Sequence, residues 1–320
     1  MDHSKYNEAL VDIDKFLRES FDVSKEINLI YQYTDLTAFE GIVGNKKIWA
    51  THYRYLNDEK EFVLGLNHAK EYLKNKLIKY QSEGANAFIQ VIMGAFSHMD
   101  SKDHFPFESA DLYMISFSLN KDRLSQWRGY GKQYDSVCIG FLLRNIVCDK
   151  NDVDCPYMLR KVIYDENEQK ELMGKFLEKV LNLFEENEEY ISETEGVSGI
   201  LFPWLLTRFI QLCLCFKESV WQEEEEVRII ATPNVYNIQN DSEEKIPIDF
   251  RKGDGTLTPY IKLPIFRNDS IDAVSEAVLP KSEKFLLCKK SLKMFWDRVC
   301  QDNKVSFDLN VVESGISIRY

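Results

Sequence analysis

No two of the seven cysteines are spaced as C-x-x-C and the five histidines are scattered, so the ligand spacing of a structural zinc site is missing. The cysteines are odd in number and lie mostly inside apolar patterns, which predicts reduced, buried thiols rather than a disulfide framework. The opening "MDHSKYNEALVDIDKFLRES" lacks the apolar centre of a leader, and no run of about eighteen apolar residues occurs anywhere. The expectation is a cytoplasmic protein with no membrane segment. Internal repeats, a G-x-G-x-x-G fingerprint, a P-loop and a G-x-S-x-G elbow are also missing, which removes the main support for Rossmann and kinase readings. An excess of positive charge is lacking too: 40 Lys and Arg stand against 52 Asp and Glu, a formal net charge of -12. That balance argues against a sequence-independent grip on nucleic acid phosphates, although a local basic groove is compatible with it.

With 320 residues, 44% of them hydrophobic, the chain can bury a large core. Leu10, Ile13, Phe16 and Leu17 have helical spacing, and "INLIYQYT" reads as a strand. Long helices are predicted over Glu168 to Glu189, solvated on one face, and over Val197 to Phe216, largely apolar. Strands cluster after Asp111 ("DLYMISFSL", "SVCIGF", "YMLRKVIY", "EVRIIAT", "YIKLPIF"), and parallel winding is not indicated. The predicted fold class is therefore α+β, a mixed and largely antiparallel sheet with several flanking helices. Residues 1–26 are expected to form an N-terminal helix, and residues 27–320 a single domain with a helical insertion at 165–216. Between Asp165 and Glu195 lie eleven acidic and three basic side chains, a charged face on which a protein partner could dock.

Three stretches gather chemistry. In "YQYTDLTAFEGIVGNKKIWATHYRYLND", Gln32, Tyr33 and Thr34 stand at a strand end, where ligand contacts usually sit, while Thr34 or Asp35 could equally cap the next helix. Asp58 and Glu61 further on read as helix caps, or with Glu226 as magnesium ligands of a nucleotide hydrolase. In "SFSLNKDRLSQWRGYG", Ser116 and Ser118 share one strand face. Trp127, Arg128 and Tyr130 then follow with two glycines, either as a surface for a stacked base or phosphate or with Trp127 in the core. In "WQEEEEVRII", an acidic run enters an apolar strand. Strand alternation would put Glu224, Glu226 and Arg228 on one face, and a Glu226 drawn inside would find its charge partner in Arg228.

Together these stretches resemble a bacterial family catalogued only as a domain of unknown function, DUF2971. The likeness rests on "IYQYT" with "IWATHYRYLND", on "SFSLNKDRLSQWRGYG" with "VCIGF", on W-x-x-E-x-E-x-R at Trp221, Glu224, Glu226 and Arg228, and on "VVESGISIRY". It spans residues 27–320. The order of "Y-x-Y-T" strand, helix, turn and "IWAT" is more remotely similar to ADP-ribosyltransferase folds. That similarity implies an ADP-ribosyltransferase-like sheet core, NAD as substrate, a protein or nucleic-acid target, and a role in phage defence or as a toxin. Residue by residue it places Gln32 on the NAD ribose, where those enzymes usually carry His or Arg. Ser116 or Ser118 with Tyr130 would hold the nicotinamide, and Glu226 or Glu224 would stabilise the oxocarbenium-like state. The alternative on the same fold is a non-enzymatic nucleotide-sensing or interaction module, with nucleotide contacts at Trp127, Arg128 and Tyr130.

Overall fold

The computed structural model describes residues 3–23, 27–56, 60–74, 80–99, 111–131, 135–146, 157–194, 197–232, 246–253, 255–264, 266 and 270–317. The chain divides into two compact units, each assembled from three segments: residues 1–22, 56–112 and 160–222, and residues 23–55, 113–159 and 223–320.

The first unit is helical. It contains α1 (His3–Ser20), α3 (Lys60–Lys74), α4 (Glu83–Met99), α6 (Glu166–Glu186), α7 (Glu188–Glu193) and α8 (Val197–Cys213). The acidic α6 starts at Asp165, whose carboxylate accepts the Glu168 N–H at 2.8 Å. It buries Met173, Phe176, Leu177, Val180 and Phe184 at helical spacing. Helix α1 packs on α6, as does α3, so the N-terminal helix belongs to the same unit as the segment expected to be an insertion. A Cβ on Gly65 would stand 2.7 Å from the Cys213 backbone, so glycine is what lets α3 approach α8 this closely. Among the described residues no helix is long and apolar enough to cross a membrane, and the five described cysteines are free thiols.

The second unit is the sheet, with α2 (Leu36–Asn45), α5 (Leu124–Tyr130) and α9 (Phe285–Asp302). Its strands are β1 (Leu29–Asp35), β2 (Ile48–His52), β3 (Tyr113–Ser118), β4 (Ser136–Leu142), β5 (Tyr157–Lys161, of which residues 157–159 fall in this unit), β6 (Glu226–Ala231), β7 (Ile248–Lys252), β8 (Leu257–Leu263), β9 (Val274–Leu279) and β10 (Asn310–Glu313). They run in the order β10-β9-β4-β1-β3-β2-β8-β7, with β6 also on β3 and β5 on β6. Of the pairs whose register is described, only β9 with β10 is parallel. The fold is α+β with a mostly antiparallel sheet.

Strand β3 is where the sheet forks. One edge pairs with β6 along its whole length. The other edge is shared: β2 reaches it at Tyr113 and Met114, and β1 only at Ser118. Helix α2 joins the two arms of the fork, started by Asp35, whose side chain accepts the Ala38 N–H at 2.8 Å. One sheet face is apolar: Ile30, Ile115, Phe117, Ile139 and Ile229 join Phe39 of α2 and Trp296 of α9 in one core. The opposite face is polar at its centre.

Candidate functional site

Strand register assembles the polar face. Asn310, Glu276, Gly140, Tyr31, Ser118 and Glu226 stand opposite one another in turn on β10, β9, β4, β1, β3 and β6, and Ser116 stands opposite Arg228. Directly paired residues project to the same side of a sheet. From Glu276 to Glu226 the row therefore crosses four strand spacings, roughly 19 Å between Cα atoms.

At one end Arg228 grips Glu226 with two parallel bonds, Nε to Oε1 at 2.8 Å and Nη2 to Oε2 at 2.7 Å. Both residues are buried, at 1% and 7% exposure. The alternation of β6 brings them together, as their spacing predicts, and the bidentate fork compensates the carboxylate charge in place. Glu224, also buried, precedes the strand. It lies in a 3-10 turn before β6, and Glu225 has φ 42, a left-handed conformation that interrupts strand alternation. Ser118 is engaged with the backbone of that turn: its hydroxyl donates to the Glu224 carbonyl at 2.7 Å and accepts the Asn120 N–H at 3.0 Å.

At the other end Glu276 sits in the middle of β9, buried, with donors from three separate parts of the chain. Asn310 Nδ2 lies 3.0 Å from Oε1, Lys121 Nζ 3.2 Å from Oε1, and Tyr31 Oη 3.4 Å from Oε2. Tyr31 reaches β9 by lying over β4, where Gly140 leaves the space: a Cβ there would meet the Tyr31 ring at 3.0 Å and Glu276 Cβ at 3.1 Å. Burial, and next the Glu276 charge, push the Tyr31 phenol up to about 12. Residue spacing gave no sign of this cluster; its one trace is a lone Glu inside the apolar "AVSEAVL".

The motif "SFSLNKDRLSQWRGYG" is anchored below and exposed above. Trp127 is 0% exposed, so it is a core residue and no ligand ring can lie on it. Its ring stands edge-on to Tyr33 at 5.0 Å, and its Nε1 donates to Asp122 at 2.8 Å. Asp122 also accepts the Ser314 hydroxyl at 2.6 Å and the Gly315 N–H at 2.7 Å, which ties the C-terminal segment down. Tyr33 is spent the same way: its hydroxyl donates to the Asn120 carbonyl at 2.8 Å and accepts the Arg123 N–H at 2.9 Å. Burial raises the pKa values of Tyr33 and of Cys138 beside it. Neither glycine uses a positive φ; Gly131 is required for space, since a Cβ would fall 2.4 Å from the Trp127 carbonyl. Lys121, Arg123, Arg128 and Tyr130 remain exposed on this anchored frame.

Gln32 and Thr34 pair with Ile139 and Val137, so they project to the apolar face, away from Ser116, Ser118 and Glu226. They are expected as ligand contacts at a strand end, beside Ser116 and Glu226, but alternation from Tyr31 sends them to the other side. Gln32 Oε1 is buried there without a hydrogen-bond partner. Asp58 and the Glu61 side chain lie outside the described residues. Among the described residues no three His, Cys, Asp or Glu side chains gather as metal ligands.

No curated protein and no solved structure matches this chain. The matched family model, described as a protein of unknown function (DUF2971), covers residues 126–229, a third of the chain rather than the 27–320 over which the resemblance is read. Within those bounds lie Trp127, Arg128, Tyr130, Glu224, Glu226 and Arg228, so the similarity to that family takes in the anchored α5 motif and the Glu–Arg pair of β6 together.

Proposed function

We propose that the protein is a nucleotide-sensing or interaction module whose ligand, NAD or another nucleotide, docks on the sheet unit. Lys121, Arg123 and Arg128 would meet the phosphates and Tyr130 the base. The observation that carries this reading is the division of labour inside one motif. Trp127, Tyr33 and Asp122 hold the backbone from below, while three cations and a tyrosine, the last 46% exposed, stand on top. Exposed cations on a fixed frame suit an anion, since little side-chain or loop ordering is left for binding to impose. The resting carboxylate contact of Arg123 is a weak competitor: it lies 3.9 Å from Glu225, with both side chains nearly half exposed. Calorimetry of the full chain with NAD, ATP and single-stranded RNA tests the reading. Binding of a nucleotide that Arg128→Ala and Tyr130→Ala weaken, at unchanged melting temperature, is the expected result. Absence of binding by all three ligands overturns it.

A second reading, ADP-ribosyl transfer from NAD to a protein or nucleic acid in phage defence or toxin action, is favoured by one observation of its own. Ser116, Ser118, Glu226 and Arg228 share one sheet face in direct register. In this reading Glu226 stabilises the positive charge developing at the anomeric carbon, which requires Arg228 first to turn from Glu226 to the pyrophosphate of NAD. Mass-spectrometric detection of nicotinamide release is the test. Turnover by the wild type and its loss in Glu226→Gln, with NAD affinity retained, would establish transfer, and a wild type without turnover on protein, DNA or RNA leaves the sensing reading.

A further inference from the structure

Glu276, Tyr31 and Asn310 have no part in either role above, yet Glu276 lies beside Lys121 of the same motif. We propose that Glu276, framed by Asn310 and Tyr31 and covered by Lys121, recognises the free ribose hydroxyls of the docked nucleotide, so that the ligand class is ribonucleotides rather than deoxyribonucleotides. This rests on the nucleotide-binding reading and deepens it.

A carboxylate in the middle of a strand is costly to bury unless it is well hydrogen-bonded, and Glu276 has three donors. Two of them are fixed. Asn310 stands opposite Glu276 in the parallel pairing of β10 with β9, and Tyr31 is held over Gly140. The third, Lys121, is different in kind: its side chain is half exposed, while that of Glu276 is at 8%. A long, exposed ammonium is the member able to leave, and the neighbouring phosphates offer it a second anion. Its departure frees acceptor positions on Glu276 Oε1 and Oε2, and a carboxylate with two free acceptor positions matches two adjacent hydroxyl donors. Lys121 lies on the same anchored stretch as Arg123 and Arg128. One ligand can thus present its phosphate to the cations and its sugar hydroxyls to Glu276.

The test compares ADP, 2′-deoxy-ADP, 3′-deoxy-ADP and inorganic pyrophosphate by calorimetry on the full chain. The wild type is expected to bind ADP at least about tenfold more tightly than either deoxy analogue, the scale of one hydrogen bond to a charged group. Glu276→Gln should bring the three nucleotides within about threefold of one another while pyrophosphate binding persists. Equal wild-type affinity for ADP and its deoxy analogues overturns this inference alone and leaves nucleotide binding standing, and that comparison needs no variant to fold. Discrimination that survives in folded Glu276→Gln also overturns it. Absence of binding by every nucleotide and by pyrophosphate overturns the nucleotide reading and this inference with it.

Discussion

Glu226 and Glu276 are two buried carboxylates on one sheet face, and they are held in opposite ways. Glu226 is closed by a neighbour two residues along the same strand, through a two-bond fork that buries both partners. Glu276 is held by residues 31, 121 and 310, one of which is a half-exposed lysine. The first arrangement resembles a rivet, a charge pair that costs stability when one partner goes and has little reason to open. The second has a detachable member, and that difference makes Glu276 rather than Glu226 the carboxylate better placed to meet a ligand.

Breaking the rivet should have the largest effect. Arg228→Met leaves Glu226 buried without its main cation and is expected to cost about 3–5 kcal/mol in urea denaturation. Pairing it with Glu226→Gln should recover a large part of that loss, because the uncompensated charge is then gone. A double variant no more stable than Arg228→Met would show that the arginine acts mainly through packing.

Gly140→Ala attacks the other carboxylate. The new Cβ meets the Tyr31 ring and Glu276 Cβ at 3.0 and 3.1 Å, so the ring must lift. A loss of about 1–3 kcal/mol is expected, as for overpacking elsewhere, together with weaker nucleotide discrimination. Unchanged stability would mean that Tyr31 is not tightly held. Ser314→Ala removes one of the bonds that Asp122 makes beneath the motif. It should cost about 0.5–1.5 kcal/mol by thermal melting and leave the Glu226 end untouched.

The last test separates the two ends by pH. The folded-state pKa of Tyr31 lies at about 12, above the ordinary 10.0 of the unfolded chain, so the folded state holds this proton more firmly. The resulting stability is fully present below pH 10 and is lost as pH rises from 10 towards 12. Stability measured across that window should fall more steeply for the wild type than for Tyr31→Phe. Equal slopes would place the alkaline loss elsewhere.

Several local features were readable from the chain itself. The Asp35 cap, the shared face of Ser116 and Ser118, the Glu226–Arg228 partnership and the acidic helix after Asp165 all depend on residues a few positions apart. Each follows from a short repeat or a short-range bond: period two for strands, 3.6 for helices, three residues for a cap. Even so, local pattern misled at Glu224, where one left-handed residue at Glu225 broke the alternation. At Trp127 it left two readings open, a stacking surface or a core residue, and burial decided for the core.

Alternation states which residues of one strand share a face, but only register between strands states which faces coincide. Gln32 was grouped with Ser116 and Glu226 by the likeness to ADP-ribosyltransferase folds; the pairing of Tyr31 with Ser118 puts Gln32 on the far side. The same pairing, with Gly140 as a gap and Asn310 arriving on the last strand, built the Glu276 cluster from residues up to 279 positions apart, Tyr31 to Asn310. The sequence by itself determined the elements and their two-sided character, because those are set by neighbours. The tertiary structure alone decided which polar side chains meet, because hydrogen bonds between distant strands depend on sheet order and register, which no local pattern encodes.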